Sequence, residues 1–175
     1  MYRIRYEKDK NYLFVDAYNM INFWPDLVKL KDINLEDSRI CFIDKMIEFS
    51  HFTKEKIILV FDAYLVKGSG GKIYKKDGIV IVFTKENERA DHYIERELDM
   101  IGRLRNVRVA TSDATIQEII LSRGGTRISA RELLAEIENS KKVTKNLQKK
   151  LKEKNLSSFD KNDIKKLKDL KNNLK

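Results

Sequence analysis

The chain has 175 residues and a formal charge of +9, a length that suits one domain with an appendage and excludes two full domains. Hydrophobic residues make up 42%, enough for a core, which excludes wholesale disorder. The longest apolar runs, residues 57–61 and 79–83, fall far short of the roughly 18–20 residues that span a bilayer, so no membrane partner is expected.

Residues 1–11 carry charges but no apolar stretch of the kind a secretory signal needs, and no signal peptide is expected. Residues 12–15 (YLFV) form a short apolar strand ending at Asp16. From Leu27 to Phe52 apolar residues recur at spacings of three to four, which predicts helix with one break around Asp32–Asn34. The lone cysteine, Cys41, lies in this helix. It cannot form an internal disulfide, reads as a core thiol and suits a reducing cytoplasm.

Residues 56–61 (KIILVF) predict a buried strand ending at Asp62. Residues 64–78 hold four of the seven glycines and read as a flexible excursion, with a solvent-exposed hairpin as the alternative. The GSGGK within it lacks the spacing of a P-loop and leads into no clear helix, so no nucleotide cofactor is expected. Lys67, Lys72, Lys75 and Lys76 surround these glycines, with Tyr64 and Tyr74 interleaved. A basic loop with aromatics suits single-stranded RNA.

Residues 79–83 predict a third strand, Asn87–Leu104 a helix, 107–111 a fourth strand, 114–122 a helix and 126–128 a short fifth strand. Ser129 and Glu132 form an S-x-x-E capping box that opens the next helix. Strands alternating with helices imply an α/β fold, with a central, mostly parallel sheet sandwiched between helices.

Residues 141–175 contain 13 lysines and 4 acidic residues and so carry the whole charge excess. The body over 1–140 is neutral. Val143, Leu147 and Leu151, then Ile164, Leu167, Leu170 and Leu174, recur at helical spacing. Two short amphipathic helices are expected, docked through these residues, with the helix from 129 to 154 continuous as the alternative. The lysines form either a face for nucleic acid or a solvated face.

Asp16, Asp62 and Asp113 each follow a predicted strand, and Asp91 lies in the first turns of the helix after the third. Ligands of open parallel sheets bind beyond the carboxyl ends of the strands. Clustered carboxylates raise one another's pKa unless a cation offsets the repulsion. Mg²⁺ takes one or two carboxylates and keeps waters for phosphate oxygens, which suits phosphodiester hydrolysis. Asn19, in the segment DAYN, either orients a phosphate or water or forms a turn. Glu88 and Glu95 share a helical face with Asp91 and are either outer ligands or a charged surface beside Arg89 and Arg96. Arg123, Arg127 and Arg131 either line an RNA path or pair with nearby acids. His51 and His92 lack metal-ligand spacing.

The segments VDAYNMINFWPDL (15–27), VFDAYLVKG (60–68), VFTKENERADHYIER (82–96) and VRVATSDATIQEIILSRGGTRISARELL (107–134) resemble the YacP-like NYN-domain family of the PIN-like nuclease superfamily. The resemblance spans 12–138 and implies a three-layer α/β/α PIN-like fold. It also implies metal-dependent endoribonuclease activity and association with the ribosome and mRNA. The family's acidic positions carry over to Asp16, Asp62, Asp91 and Asp113, and its motif asparagine to Asn19. The lysine-rich segment after about 140 lies beyond these motifs.

Two function classes follow: a Mg²⁺- or Mn²⁺-dependent endoribonuclease, and a non-catalytic RNA- or ribosome-binding module on the same fold. A haloacid-dehalogenase phosphatase needs D-x-D after the first strand. The chain reads Asp16-Ala17-Tyr18 there, which excludes it.

Overall fold

The computed structural model describes residues 4–63, 70–101 and 106–158. Lys67, Tyr64, Leu104 and the second tail helix expected around Ile164, Leu167, Leu170 and Leu174 lie outside these residues. Twelve elements follow in order: β1 Tyr12–Asp16, α1 Ala17–Phe23, α2 Pro25–Ile33, α3 Leu35–Ser50, β2 Lys56–Phe61, β3 Gly70–Lys76, β4 Ile79–Lys85, α4 Ala90–Ile101, β5 Val107–Ala110, α5 Ala114–Ser122, β6 Thr126–Ile128 and α6 Ala130–Ser158. They build one six-stranded sheet in the order β3-β4-β2-β1-β5-β6. All neighbours pair in parallel except β3 and β4.

Both faces of the sheet are covered, so its central strands read as continuous apolar runs. The period of two sends Leu13, Val15, Ile57, Leu59 and Phe61 to one face, where they pack with α1, α2, α3 and the start of α6. Tyr12, Phe14, Ile58, Val60, Val80 and Val82 go to the other face, against α4 and α5. Burying each such side chain contributes on the order of 1.5–3 kcal/mol. Trp24, fully buried, also donates its indole N–H to the carbonyl of Ala130 at 2.9 Å, tying the α1–α2 corner to the start of α6.

The helix break falls where the sequence indicates. Asn34 caps α3, its side-chain oxygen accepting from the N–H groups of Glu36 and Asp37, and Pro25 starts α2. The capping box also forms. Glu132 N–H donates to Ser129 Oγ at 3.2 Å, and Ser129 N–H to Glu132 Oε2 at 2.7 Å. Cys41 is half-buried against the core, and no disulfide forms.

Between the two readings of 64–78, the described part takes the hairpin. Gly70–Lys76 is an edge strand paired antiparallel with β4, so the sheet has six strands where five are expected. Asp77 (φ 45°) and Gly78 (φ 89°) make the two-residue turn. An Asp-Gly pair suits this left-handed conformation, which matches the twist of the strands it joins.

The chain divides into two compact units, residues 1–137 and 138–175. The expected first tail helix is no separate element. α6 runs unbroken for 29 residues, with no glycine or proline to stop it. Val143, Leu147 and Leu151 lie on it and are exposed. No helix among the described residues is long and apolar enough to cross a membrane.

Candidate functional site

Strand register decides which residues share the carboxyl edge of the sheet. Asp16 stands opposite Val60, and Val15 opposite Ala110. Asp62 therefore lies two residues beyond its paired neighbour on β2, and Asp113 three beyond its neighbour on β5. After β1 the chain turns into α1 on one face, and after β5 into α5 on the other. Adjacent strands whose connections leave to opposite faces open a crevice at their carboxyl ends.

Asp16 is the residue most strongly shaped by this crevice. It caps α1, with Oδ1 accepting from the Asn19 N–H at 3.1 Å. Burial nevertheless pushes its carboxyl up from 3.8 to about 6. The Asn19 hydrogen bond opposes that shift, while the negative charges of Asp62, Asp91 and Asp113 add to it. Asp16 thus feels the charge of all three other aspartates.

Each of the other three is held by local geometry. Asp62 is half-buried just past β2, and the next N–H, of Ala63, donates to Thr84 Oγ1 at 2.8 Å. Asp113 donates its own N–H to Thr111 Oγ1 at 3.1 Å. Asp91, in the first turn of α4, accepts from the His92 N–H at 2.7 Å and lies 3.6 Å from Arg89. Asn19 spans the crevice, with Oδ1 accepting from the Ser112 N–H at 3.0 Å.

Thr84 and Thr111 escape sequence reasoning. Both are buried at strand ends, where threonine reads as an ordinary strand former. The T-x-D spacing of Thr111 and Asp113 is a local hydrogen-bonding signature. Nothing local marks Thr84, whose partner stands 21 residues away. Tyr18, packed edge-on to Phe61 at 5.5 Å, is a further neighbour, its hydroxyl pKa pushed up chiefly by burial and in part by Asp62.

The donor set here is all carboxylate and amide oxygen, the chemistry of hard cations such as Mg²⁺ or Mn²⁺ rather than of softer metals. Among the described residues no three acidic, histidine or cysteine side chains stand close enough together to hold a metal ion. A cation held here by one or two carboxylates would keep most of its coordination as water.

The remaining candidates separate. Glu88 pairs with Arg96 and accepts from the Lys85 N–H, while Glu95 pairs with Arg123 at 3.0 Å. Arg123 also pairs with Asp99. These groups take the structural pairing of the two readings. Lys72 lies over the Tyr74 ring at 5.1 Å, Lys76 pairs with Asp44 at 3.5 Å, and Lys75 is exposed. Arg127 and Arg131 instead line an open cleft of about 480 Å³ with Phe23 and Ser112. His51 and His92 are exposed.

Comparison with known proteins gives one consistent result. Residues 13–172 match the model of the YacP-like NYN domain, an extent that includes most of the lysine-rich segment. The YacP protein of Bacillus subtilis is 45% identical over 127 residues, covering 72% of this chain and 74% of its own. A crystal structure of Rae1 (YacP) from Bacillus subtilis superimposes with a TM-score of 0.68 at 38% identity, over 91% of this chain and 92% of that one. A single-substitution mutant of the same protein gives 0.71 at 36% identity, over 82% and 84%.

Proposed function

The chain belongs to the YacP-like NYN domain family, and from that premise we propose that it is a metal-dependent endoribonuclease that hydrolyses phosphodiester bonds of mRNA, in the cytoplasm and in association with the ribosome. The domain is nuclease-like, of the PIN-like superfamily. The observation that carries the reading is the half-buried Asp16, lifted to about 6 with three further aspartates acting on it. An edge that concentrates mutually repelling carboxylates is organised for a cation and a polyanionic substrate.

Asp16, at the end of β1, and Asp113, three residues past the end of the adjacent β5, are the pair we assign to hold Mg²⁺ or Mn²⁺, with Asp62 and Asp91 as water-mediated ligands or bases. A bound cation would lower the pKa of a water and offset charge on the phosphate. The chain's own residues do the positioning. Asn19 Oδ1 is occupied by the Ser112 N–H, which leaves its amide N–H₂ to donate to a phosphate oxygen. Thr84 and Thr111 hold the backbone beside Asp62 and Asp113, and so fix where those carboxylates start.

A second reading, a non-catalytic RNA- or ribosome-binding module, draws on one observation: the four carboxylates do not close into a three-ligand group. Cleavage of translated and naked mRNA, with and without Mg²⁺, by wild type and Asp16→Asn, decides between the two. Cleavage that needs both Mg²⁺ and Asp16 supports the nuclease, and its dependence on translation tests the ribosome. RNA binding without cleavage under every condition supports the module.

A further inference from the structure

The cleft lined by Phe23, Ser112, Arg127, Ser129, Arg131 and Glu132 lies beside the carboxylate edge, at the carboxyl ends of β5 and β6. Ser112 connects the two, because its N–H is the one that Asn19 accepts. The cleft brings together two arginines that make no ion pair. Arg39, Arg89, Arg96, Arg108 and Arg123 each pair with a carboxylate within 4.0 Å. Among the described residues, Arg127 and Arg131 pair with none, and the Nε of Arg127, like that of Arg39, is buried without a hydrogen-bond partner.

A buried guanidinium N–H left without an acceptor costs free energy that an incoming anion would recover. Glu132 in the cleft feels the charge of Arg127 but makes no ion pair with it within 4.0 Å, and its Oε2 takes the Ser129 N–H in the capping box. Phe23, the last residue of α1, is 45% exposed on the cleft wall. An aromatic ring beside two unpaired arginines is the combination that binds single-stranded nucleic acid, by stacking a base and holding its phosphate.

We propose that this cleft is a nucleotide subsite: Arg127 and Arg131 hold a phosphate next to the one at the carboxylate edge, and Phe23 stacks the adjoining base of a single-stranded RNA. The proposal rests on the nuclease reading for its substrate class but concerns binding, which can be measured apart from cleavage.

The test uses the full chain and a short single-stranded 2′-O-methyl oligonucleotide, which resists cleavage, titrated by fluorescence anisotropy across a salt series. Arg131→Ala should reduce the slope of log K against log salt by about 0.7. Lys29→Ala removes the same charge from exposed α2, outside the cleft, and should leave the slope unchanged. Phe23→Ala and Phe23→Leu should weaken binding by about tenfold, with Phe23→Trp restoring it. Phe23 and Arg131 are exposed, so melting temperatures should stay at the wild-type value. Wild-type affinity and slope in Arg131→Ala and Phe23→Ala would overturn the subsite, even if Mg²⁺-dependent cleavage persists. Binding that follows the cleft while no RNA is ever cleaved would keep the subsite and remove the nuclease reading instead.

Discussion

Ser112 donates its backbone N–H to Oδ1 of Asn19, 93 residues earlier in the chain, at 3.0 Å. The bond joins the loop after β5 to the first helix after β1, so the two connections that open the crevice are latched to each other. Asn19 also donates its own N–H to Asp16 Oδ1. One residue thereby sets the relation between Asp16 and the loop that carries Asp113.

Asn19→Ala should break the latch at a modest cost in stability, about 0.5–1.5 kcal/mol for one hydrogen bond. RNA cleavage should fall by at least tenfold, because two carboxylate-bearing segments lose their fixed separation. Urea unfolding and cleavage of one RNA substrate measure the two effects. A variant that loses stability but cleaves at the wild-type rate would make Asn19 purely structural.

Asp16 should make stability depend on pH in a defined direction. Its carboxyl sits at about 6 when folded against 3.8 for the ordinary group. The folded state therefore holds the proton more tightly, and this contribution is fully present below 3.8 and lost as pH rises through 6. Above that, the metal-free protein carries a penalty of about 3 kcal/mol at most. Asp16→Asn should be more stable than wild type at pH 7.5 in chelator, and the gap should close near pH 4. Asparagine caps a helix as well as aspartate does, so the cap is kept. Urea titrations of both proteins at the two pH values check the sign.

Thr84→Val keeps the shape of the side chain and removes the acceptor for the Ala63 N–H. A buried donor without a partner costs about 1–3 kcal/mol. The backbone beside Asp62 loosens with it, and cleavage should drop further than in a surface variant of equal stability. Thr84→Ser retains the hydroxyl and should recover most of the activity. Equal rates for the valine and serine variants would separate Thr84 from the site.

Truncation after Ser140 should leave a folded body, since residues 1–137 form a compact unit of their own. It removes the segment that carries the entire net charge. The salt dependence of RNA binding should then flatten by about 0.7 for each single-strand phosphate that the lysines neutralise. Filter binding across a salt series, full length against truncated, measures it. Superimposable slopes would mean that the lysines only keep the exposed face of α6 solvated.

The sequence by itself determined whatever depends on near neighbours. The alternating strand faces, the Asn34 helix break, the Ser129–Glu132 box and the aspartates at strand ends are all patterns of a few residues, with periods of 2 or 3.6 or cap spacings of three. The Asp77-Gly78 turn belongs with them, a local hairpin signal that the glycine-rich composition around it masks. Tertiary structure decided what meets what. The order β3-β4-β2-β1-β5-β6 sets β1 beside β5, which brings Ser112 to Asn19, and β2 beside β4, which brings Thr84 to Ala63. It pairs Arg123 with Glu95 while leaving Arg127 and Arg131 without a carboxylate. No short window encodes those partnerships, because strand order is chosen by burying both faces of the whole sheet at once, and a side chain's charge environment is known only after that choice is made.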